Sequence, residues 1–458
     1  MFIKKNKLDK ILLTFLVFHL VVWTLIPTIS NLNLPLDTIE ALAWGSNLDW
    51  GFNKHPPLSA LAVEIFYIIF GSQDWAYYFL SQIFVITSFY VVYKFSAEFL
   101  DNKILGLVSL LLLEGILFYN YTTPEFNVNV CQLPFWALSI FFTWRCTKYE
   151  KPLDYAYLGL FISLGILSKY LFIYLVLGIK LYFIYTILKK GRFSISNYLI
   201  SATVAMAILI PHINWLIGND FSTILYAFQR TGGIGNLQDH VIHPAIFLVK
   251  QLVLLMPFIL MSFFAINKFK TKINLKDEKF VFIIFTVLIP LILIFLTSVL
   301  FGVKIRTMWM TPFYLFFGVS VVYIFKNCID INKLKGFIYS LFFFLILSPI
   351  IYFTVSITND SKRTDYPGRE IARLVQNKWD KNFANEIKVV IGDEWSAGNL
   401  SYHLVSRPKW ILDLKDNSSI IRTNDGVVYT GNPKILKEVC PGIFGEIKPV
   451  GYCMIGQK

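Results

Sequence analysis

The sequence predicts an α-helical polytopic membrane protein of about eleven transmembrane helices, followed by a small C-terminal α/β soluble domain. Three observations carry this. Of 458 residues, 56% are hydrophobic and only 16% charged, where a soluble domain carries roughly 25% charged residues. Mean hydropathy is +0.58, and the apolar residues come in runs of spanning length. The net charge of +13 lies in lysines grouped between those runs, as in cytoplasmic loops of membrane proteins. No basic run interleaved with aromatics appears, so nucleic acid is not an expected partner.

A bilayer core of about 30 Å takes roughly 17–25 apolar residues per helix. Candidate spans are 11–29, 76–95, 104–120, 127–146, 155–168, 170–188, 196–217, 245–266, 279–300, 308–325 and 335–356. Ser168-Lys169-Tyr170 divides one long apolar run into two of them. Stretch 58–71, after Pro56-Pro57, is too short to cross upright and is expected to lie in the interface or re-enter. Lys4, Lys5, Lys7 and Lys10 precede the first span with no small-residue cleavage site after it. That pattern reads as a retained anchor with a cytoplasmic N-terminus. Alternation then places five basic connections inside: Lys94 and Lys103; Arg145, Lys148 and Lys151; Lys189, Lys190 and Arg192; Lys268, Lys270, Lys272 and Lys276; Lys326, Lys333 and Lys335. An odd number of spans leaves the C-terminal part outside, giving a membrane domain over 1–357 and a periplasmic domain over 358–458.

Beyond residue 358 charges, Gly and Pro become frequent and apolar runs shrink to strand length. Helices are expected at 367–381, 394–404 and 433–438, and strands at 387–391, 410–414 and 426–429, a pattern of α/β type. Cys131, Cys146 and Cys328 are expected as free thiols acting as small hydrophobes. Cys440 and Cys453 enclose 441–452 on the outer side, where an oxidising compartment favours a disulfide between them.

With this topology the unusual polar residues collect on one face. The first outer loop, 30–57, holds Asp37, Glu40, Asp49, Lys54 and His55. Glu125 lies in a short turn and Lys169 between two spans. The large outer loop, 218–244, holds Asp220, Arg230, Asp239, His240 and His243, with His212 just before it. Lys304 and Arg306 precede a span. Such a gathering suits chemistry on a charged amphiphile, whereas a channel more often places ionisable groups at mid-depth. Each signal also has a plainer reading. Asp37-Thr38-Ile39-Glu40 has the spacing of a capping box, and His55-Pro56-Pro57 could simply launch the next helix. Glu125 could be a helix-start acid. Lys304 and Arg306 could snorkel, and His240 and His243 could be solvated loop residues. No Cys/His spacing resembles a zinc site.

The order of the motifs is more specific than any one of them. Residues 37–57, DTIEALAWGSNLDWGFNKHPP, resemble the first outer loop of membrane glycosyltransferases in the dolichyl-phosphate-mannose protein mannosyltransferase superfamily (GT-C fold). Within it they are most similar to the bacterial aminoarabinose-transferase-like enzymes that modify lipid A or lipopolysaccharide core. Thr123-Pro124-Glu125 resembles the family's Thr-Pro-Asp turn, and Ser168-Lys169-Tyr170 its Ser-Lys-Tyr. Pro211-His212 with Trp215, Asn219-Asp220-Phe221 and Arg230 resembles its large-loop segment. Lys304 through Trp309-Met310-Thr311-Pro312 resembles its Lys-x-Asn-Trp-Pro region. Gly368-Arg369-Glu370 and Arg407-Pro408 are similar to its outer domain. This chain departs from the pattern at Thr38, which replaces the second acid, at Glu125, and at Lys54, where an acid is common.

The resemblance implies a glycosyltransferase using a polyprenyl-phosphate sugar at the periplasmic face of a bacterial inner membrane. It implies Asp37 and Glu125 as catalytic acids, with His55, Lys169, Arg230, Lys304 and Arg306 on the donor phosphate. Glu40, Lys54 and His212 are implied for positioning acceptor or sugar. The expected acceptor is lipid A, core oligosaccharide or another envelope glycan, with protein the nearest rival. No cofactor is required; the outer acids and His could hold a divalent ion, though no spacing demands one. A transporter or flippase of lipid-linked sugar is the alternative from another class. It would predict mid-membrane ionisable sites and a pseudo-repeat between halves, and the sequence shows no such repeat.

Overall fold

The computed structural model describes residues 5–191, 194–232, 236–269, 274–413 and 424–458. Lys4, Arg192, Lys270, Lys272 and the end of the expected 410–414 strand lie outside the described residues.

Among the described residues, seven helices are long and apolar enough to cross a bilayer: Lys7–Ser30, Asp74–Phe99, Tyr170–Lys189, Ile195–Gly218, Asp239–Ala265, Glu278–Phe301 and Lys335–Thr358. A bent pair, Thr307–Tyr314 and Phe317–Cys328, is apolar enough to make an eighth if it counts as one span, and is bent by 49° at its break. The remaining expected spans form as shorter or interrupted helices, so eleven full crossings is not the observed count. The 104–120 run becomes Lys103–Leu111 followed by two 3₁₀ turns, Leu112–Gly115 and Leu117–Tyr119. The 127–146 run divides into Val128–Cys131 and Leu133–Tyr149, where Pro134 opens the second helix. Pro152–Ser168 keeps its place but is short. The apolar stretch after Pro56-Pro57 is the short helix Leu58–Phe70.

The bundle is held by close approach of helices and by aromatic packing. Gly159 lies against the backbone of Ser201, where a β-carbon would collide with its carbonyl. That contact lets Pro152–Ser168 and Ile195–Gly218 pack closely, in the manner of small residues between membrane helices. Phe95, Phe99, Phe282 and Trp144 cluster with neighbouring ring centroids 4.8–5.8 Å apart. Apolar residues such as Leu188, Val253 and Phe343 point outward, as a lipid-facing surface requires.

The C-terminal region is a five-stranded sheet in the order β2-β1-β3-β5-β4. β1 is Ile387–Ile391, β2 Lys409–Ile411, β3 Gly426–Gly431, β4 Ile443–Ile447 and β5 Val450–Ile455. β1 runs parallel to β2 and β3, and β5 antiparallel to β3 and β4. The helices Gly368–Asp380, Ser396–His403 and Pro433–Val439 fall where expected. The β4–β5 hairpin is an addition, because its residues alternate too weakly to read as strands. Cys440 and Cys453 form a disulfide with Cα atoms 5.6 Å apart, and Cys131, Cys146 and Cys328 are free thiols.

The sheet region and the membrane bundle share one hydrophobic core. Their contact centres on the short helix Leu36–Gly45. Gly398 lies against Ile39 and Ala43, close enough that a β-carbon there would press on both side chains. Arg407 donates to Leu42 O at 2.7 Å and to Glu64 Oε2 at 2.6 Å, and its guanidinium lies 4.1 Å from the Tyr67 ring centre. Ser46 Oγ accepts from Trp410 N at 2.8 Å. Asn33 and Asn399 side chains bond at 2.8 Å, and Tyr402 donates to Asp74 at 2.7 Å.

Candidate active site

Leu36–Gly45 begins after Pro35, whose extended backbone stands at the N-cap. Asp37 is therefore in the first turn and does not cap its own helix, which sets the capping-box reading aside. The exposed Asp37 N–H is instead taken by Glu125 Oε1 at 3.1 Å, from the 121–126 turn. Thr38 Oγ1 donates to Phe126 O at 3.0 Å and ties the same two segments. The Asp37 carboxylate is thus left facing a cavity. A first-turn carboxylate also gains from the positive end of the helix dipole.

That cavity has a volume of about 310 Å³ and gathers seven of the ten expected site residues: Asp37, Glu40, Lys54, His55, Lys169, Arg230 and Arg306. Tyr170, Tyr174, Tyr226 and Trp309 complete much of its wall. A second cavity of about 580 Å³ shares Asp37, Arg230, Arg306 and Met308 with the first. It adds Glu125, Lys362, Arg363, Tyr121 and Tyr352. Asp37 and the two arginines therefore stand on the wall common to both.

The electrostatics follow from burial against a surplus of cations. Burial holds the Asp37 carboxyl above the usual range, opposed by the charges of Lys169, Lys54, Arg363 and Arg230. Glu125 is also raised, first by burial and then by the neighbouring Asp37 charge. Two acids in contact resist carrying two negative charges. Burial raises Glu40 as well, with Lys54 opposing. Lys169 sits at the extended break between two helices, φ −164° and ψ 135°. Its Nζ donates to Asn129 Oδ1 at 2.5 Å and lies 5.2 Å from the Trp309 ring centre. Burial pulls its pKa down to about 7, with Asp37 opposing. His55 is pushed down to about 3 by burial and then by Lys169, Lys54 and Arg230. It lines the cavity as a neutral imidazole, not as the cation expected from sequence.

Two expected site residues lie outside both cavities. Lys304 lines a separate groove of about 410 Å³ with Arg230, Lys250 and Arg306. His212 is buried behind the wall. One ring nitrogen meets Tyr170 OH at 2.7 Å and the other meets Trp50 O at 2.5 Å, so it braces the 47–52 loop. His240 and His243 belong to the Asp239–Ala265 helix, and their Nδ1 atoms meet Val299 O and Gly302 O at 2.8 and 2.7 Å.

Sequence reasoning missed Arg363, Asn129 and the buried pair His19 and Glu114. Arg363 lies in a link without any motif; Asn129 sits inside an apolar run. His19 Nε2 donates to Tyr119 O at 2.7 Å and lies 3.6 Å from Glu114 Oε1. Nearby, Gln82 Nε2 donates to Thr123 Oγ1 at 3.1 Å. These bonds secure the turn that carries Glu125. Among the described residues, no group of three His, Cys, Asp or Glu could hold a metal ion.

The fold and site describe a multi-pass membrane protein with a buried acid on a cationic wall beneath an α/β domain. A model of the dolichyl-phosphate-mannose-protein mannosyltransferase family matches residues 54–215. Across the whole chain, the structure is similar to that of ArnT from Cupriavidus metallidurans bound to undecaprenyl phosphate. The TM-score is 0.63 at 12% identity, covering 96% of this chain and 97% of that one. The apo state of the same protein gives a TM-score of 0.62 at 11% identity, covering 97% and 98%. No curated protein sequence matches the chain. These findings bear out the resemblance read from motif order, and at this identity the structural likeness is one of fold.

Proposed function

We propose that the chain is an inverting glycosyltransferase that moves a sugar from a polyprenyl-phosphate donor, undecaprenyl phosphate in a bacterium, to an envelope acceptor. The acceptor is lipid A or lipopolysaccharide core, reached at the periplasmic face of the inner membrane. The observation that carries this reading is the placement of Asp37 and two arginines on the wall between two cavities. The family match and the ArnT-like fold support it.

In the first cavity, displacement at the anomeric carbon breaks the bond to the lipid phosphate and forms the new glycosidic bond. Positive character grows on the sugar while the leaving phosphate gains negative charge. Lys169, Arg230 and Arg306 stand where that charge develops, which is where fixed cations lower the barrier most. The arginines can clamp phosphate through two parallel N–H groups, while Lys169 acts as a point charge. His55, neutral, supplies a hydrogen bond. Glu40 and Lys54 face the sugar. A hydroxyl acceptor gives its proton to Asp37 as base. A phosphate acceptor is already ionised, and Asp37 then orients and balances charge beside Glu125. Arg363 and Lys362 make the second cavity suited to an anionic acceptor, which favours a phosphorylated glycolipid over protein. In this reading residues 1–357 form the transmembrane glycosyltransferase domain and 358–458 an α/β domain in the periplasm.

Mass spectrometry of envelope lipids from a deletion strain tests the reading. Loss of one sugar unit, restored by the wild-type chain but not by Asp37→Asn, is the expected result. An unchanged lipid profile would favour a flippase or a protein acceptor.

A further inference from the structure

One carboxylate of the C-terminal domain reaches a side chain of the cavity wall. Lys54 Nζ lies 2.9 Å from Glu40 Oε1 and 3.0 Å from Glu394 Oε1. All three side chains are largely shielded, at 22%, 14% and 12% exposure. Glu40 and Lys54 line the cavity beside Asp37, whereas Glu394 stands behind them.

Hydrogen bonds within its own turn hold Glu394 in place. Asp393 Oδ1 accepts from Trp395 N and Ser396 N at 2.9 and 2.7 Å and opens the helix Ser396–His403. That helix rests on Ile39 and Ala43 through Gly398, on the same short helix that carries Asp37 and Glu40. The neighbouring Trp395 ring lies 5.9 Å from the guanidinium of Arg363, which lines the second cavity. The 393–396 turn is therefore coupled to both cavities.

We propose that Glu394 is a positioning residue for sugar transfer: with Glu40 it holds the Lys54 ammonium as a resident cation at the cavity wall, away from Asp37. This rests on the glycosyltransferase reading above. Two facing carboxylates need a cation between them, and Lys54 stands where the resembling family more often has an acid. Burial alone would favour the neutral amine of Lys54, but Glu40 and Glu394 together outweigh it and keep the charge. With Glu394 neutral, Lys54 has one anchor at the rim and is drawn toward Asp37, whose carboxylate it already stabilises. An ammonium there would occupy the space of the sugar and engage the base.

The test uses the full chain in nanodiscs with a polyprenyl-phosphate sugar. Glu394→Gln is expected to lower kcat about tenfold with donor KM within about twofold, as loss of positioning requires. Glu394→Asp should recover part of the loss, and the melting temperature should hold. In a Lys54→Gln background, removing Glu394 should cost nothing further, since a residue acting through another is not additive with it. Additive losses, or more than half of wild-type kcat in Glu394→Gln, overturn the proposal. Hydrogen exchange supplies a readout independent of activity: amides 47–55 should exchange faster in Glu394→Gln, and unchanged exchange there overturns the proposal. Absence of transfer by the wild-type chain would defeat the functional reading, while the exchange comparison still decides the role of Glu394.

Discussion

Lys169 gives the sharpest link between structure and a measurable rate. Burial brings its pKa down to about 7 in the free protein, so it loses its proton as pH rises through neutrality. In the proposed reaction the phosphate leaving group needs that proton in place. With a pKa of about 7, only about one-tenth of the protein carries it at pH 8. The expected kcat/KM for the donor therefore falls about tenfold between pH 6 and 8 and continues down with rising pH. Donor binding adds negative charge beside the ammonium, so the corresponding limb in kcat lies at higher pH. Lys169→Arg carries a guanidinium that stays charged above pH 12. Its rate at pH 7 should drop, because the guanidinium does not fit the Asn129 and Trp309 site as the ammonium does, but its alkaline limb should vanish. Initial rates with a radiolabelled donor from pH 5.5 to 9, for both proteins, supply the comparison. A limb that persists unchanged in Lys169→Arg would refute this assignment.

Asp37→Asn should cut transfer by roughly three orders of magnitude, in line with loss of a general base plus charge balance, while circular dichroism and melting stay near wild type. Cys440→Ser should destabilise the C-terminal sheet by about 3 kcal/mol, the chain-entropy value for a loop of this size, read from a denaturant midpoint with and without reductant. Arg407→Ala leaves Glu64 and Leu42 O without their donor. Loss of this largely buried pair should cost about 3 kcal/mol and expose the sheet region to limited proteolysis; Arg407→Lys should retain part of that protection.

Much of the site was legible because its residues sit in motifs with fixed order. Asp37, His55, Lys169, Arg230 and Arg306 come from four separated segments, yet all line one cavity. Their types were readable; their charge states were not, since neutral His55 and near-neutral Lys169 depend on burial set by distant helices. The role of Glu125 was half visible. Its acidity was plain, but its bond to Asp37 N requires the two outer segments to be adjacent. His212 was misplaced because a His near a span end looks the same whether it faces a cavity or braces a loop. In the fold, the strand Ile387–Ile391 was readable from a run of Val and Ile. The interrupted spans were not, because hydropathy reports apolar length and is blind to the 3₁₀ turns at Leu112–Gly115 and Leu117–Tyr119.

The clasp between Arg407 and Leu42 joins residues 365 positions apart. During synthesis at roughly 5–20 residues per second, Asp37 and its helix emerge tens of seconds before the residues that steady them. The membrane helices can insert over that interval while the acid stands beside an unfinished wall. A chain interrupted between Thr364 and Arg407 would carry every residue that lines the two cavities yet leave the end of that helix unheld. The helix that carries Asp37 is therefore clasped at its far end only after most of the chain has been made.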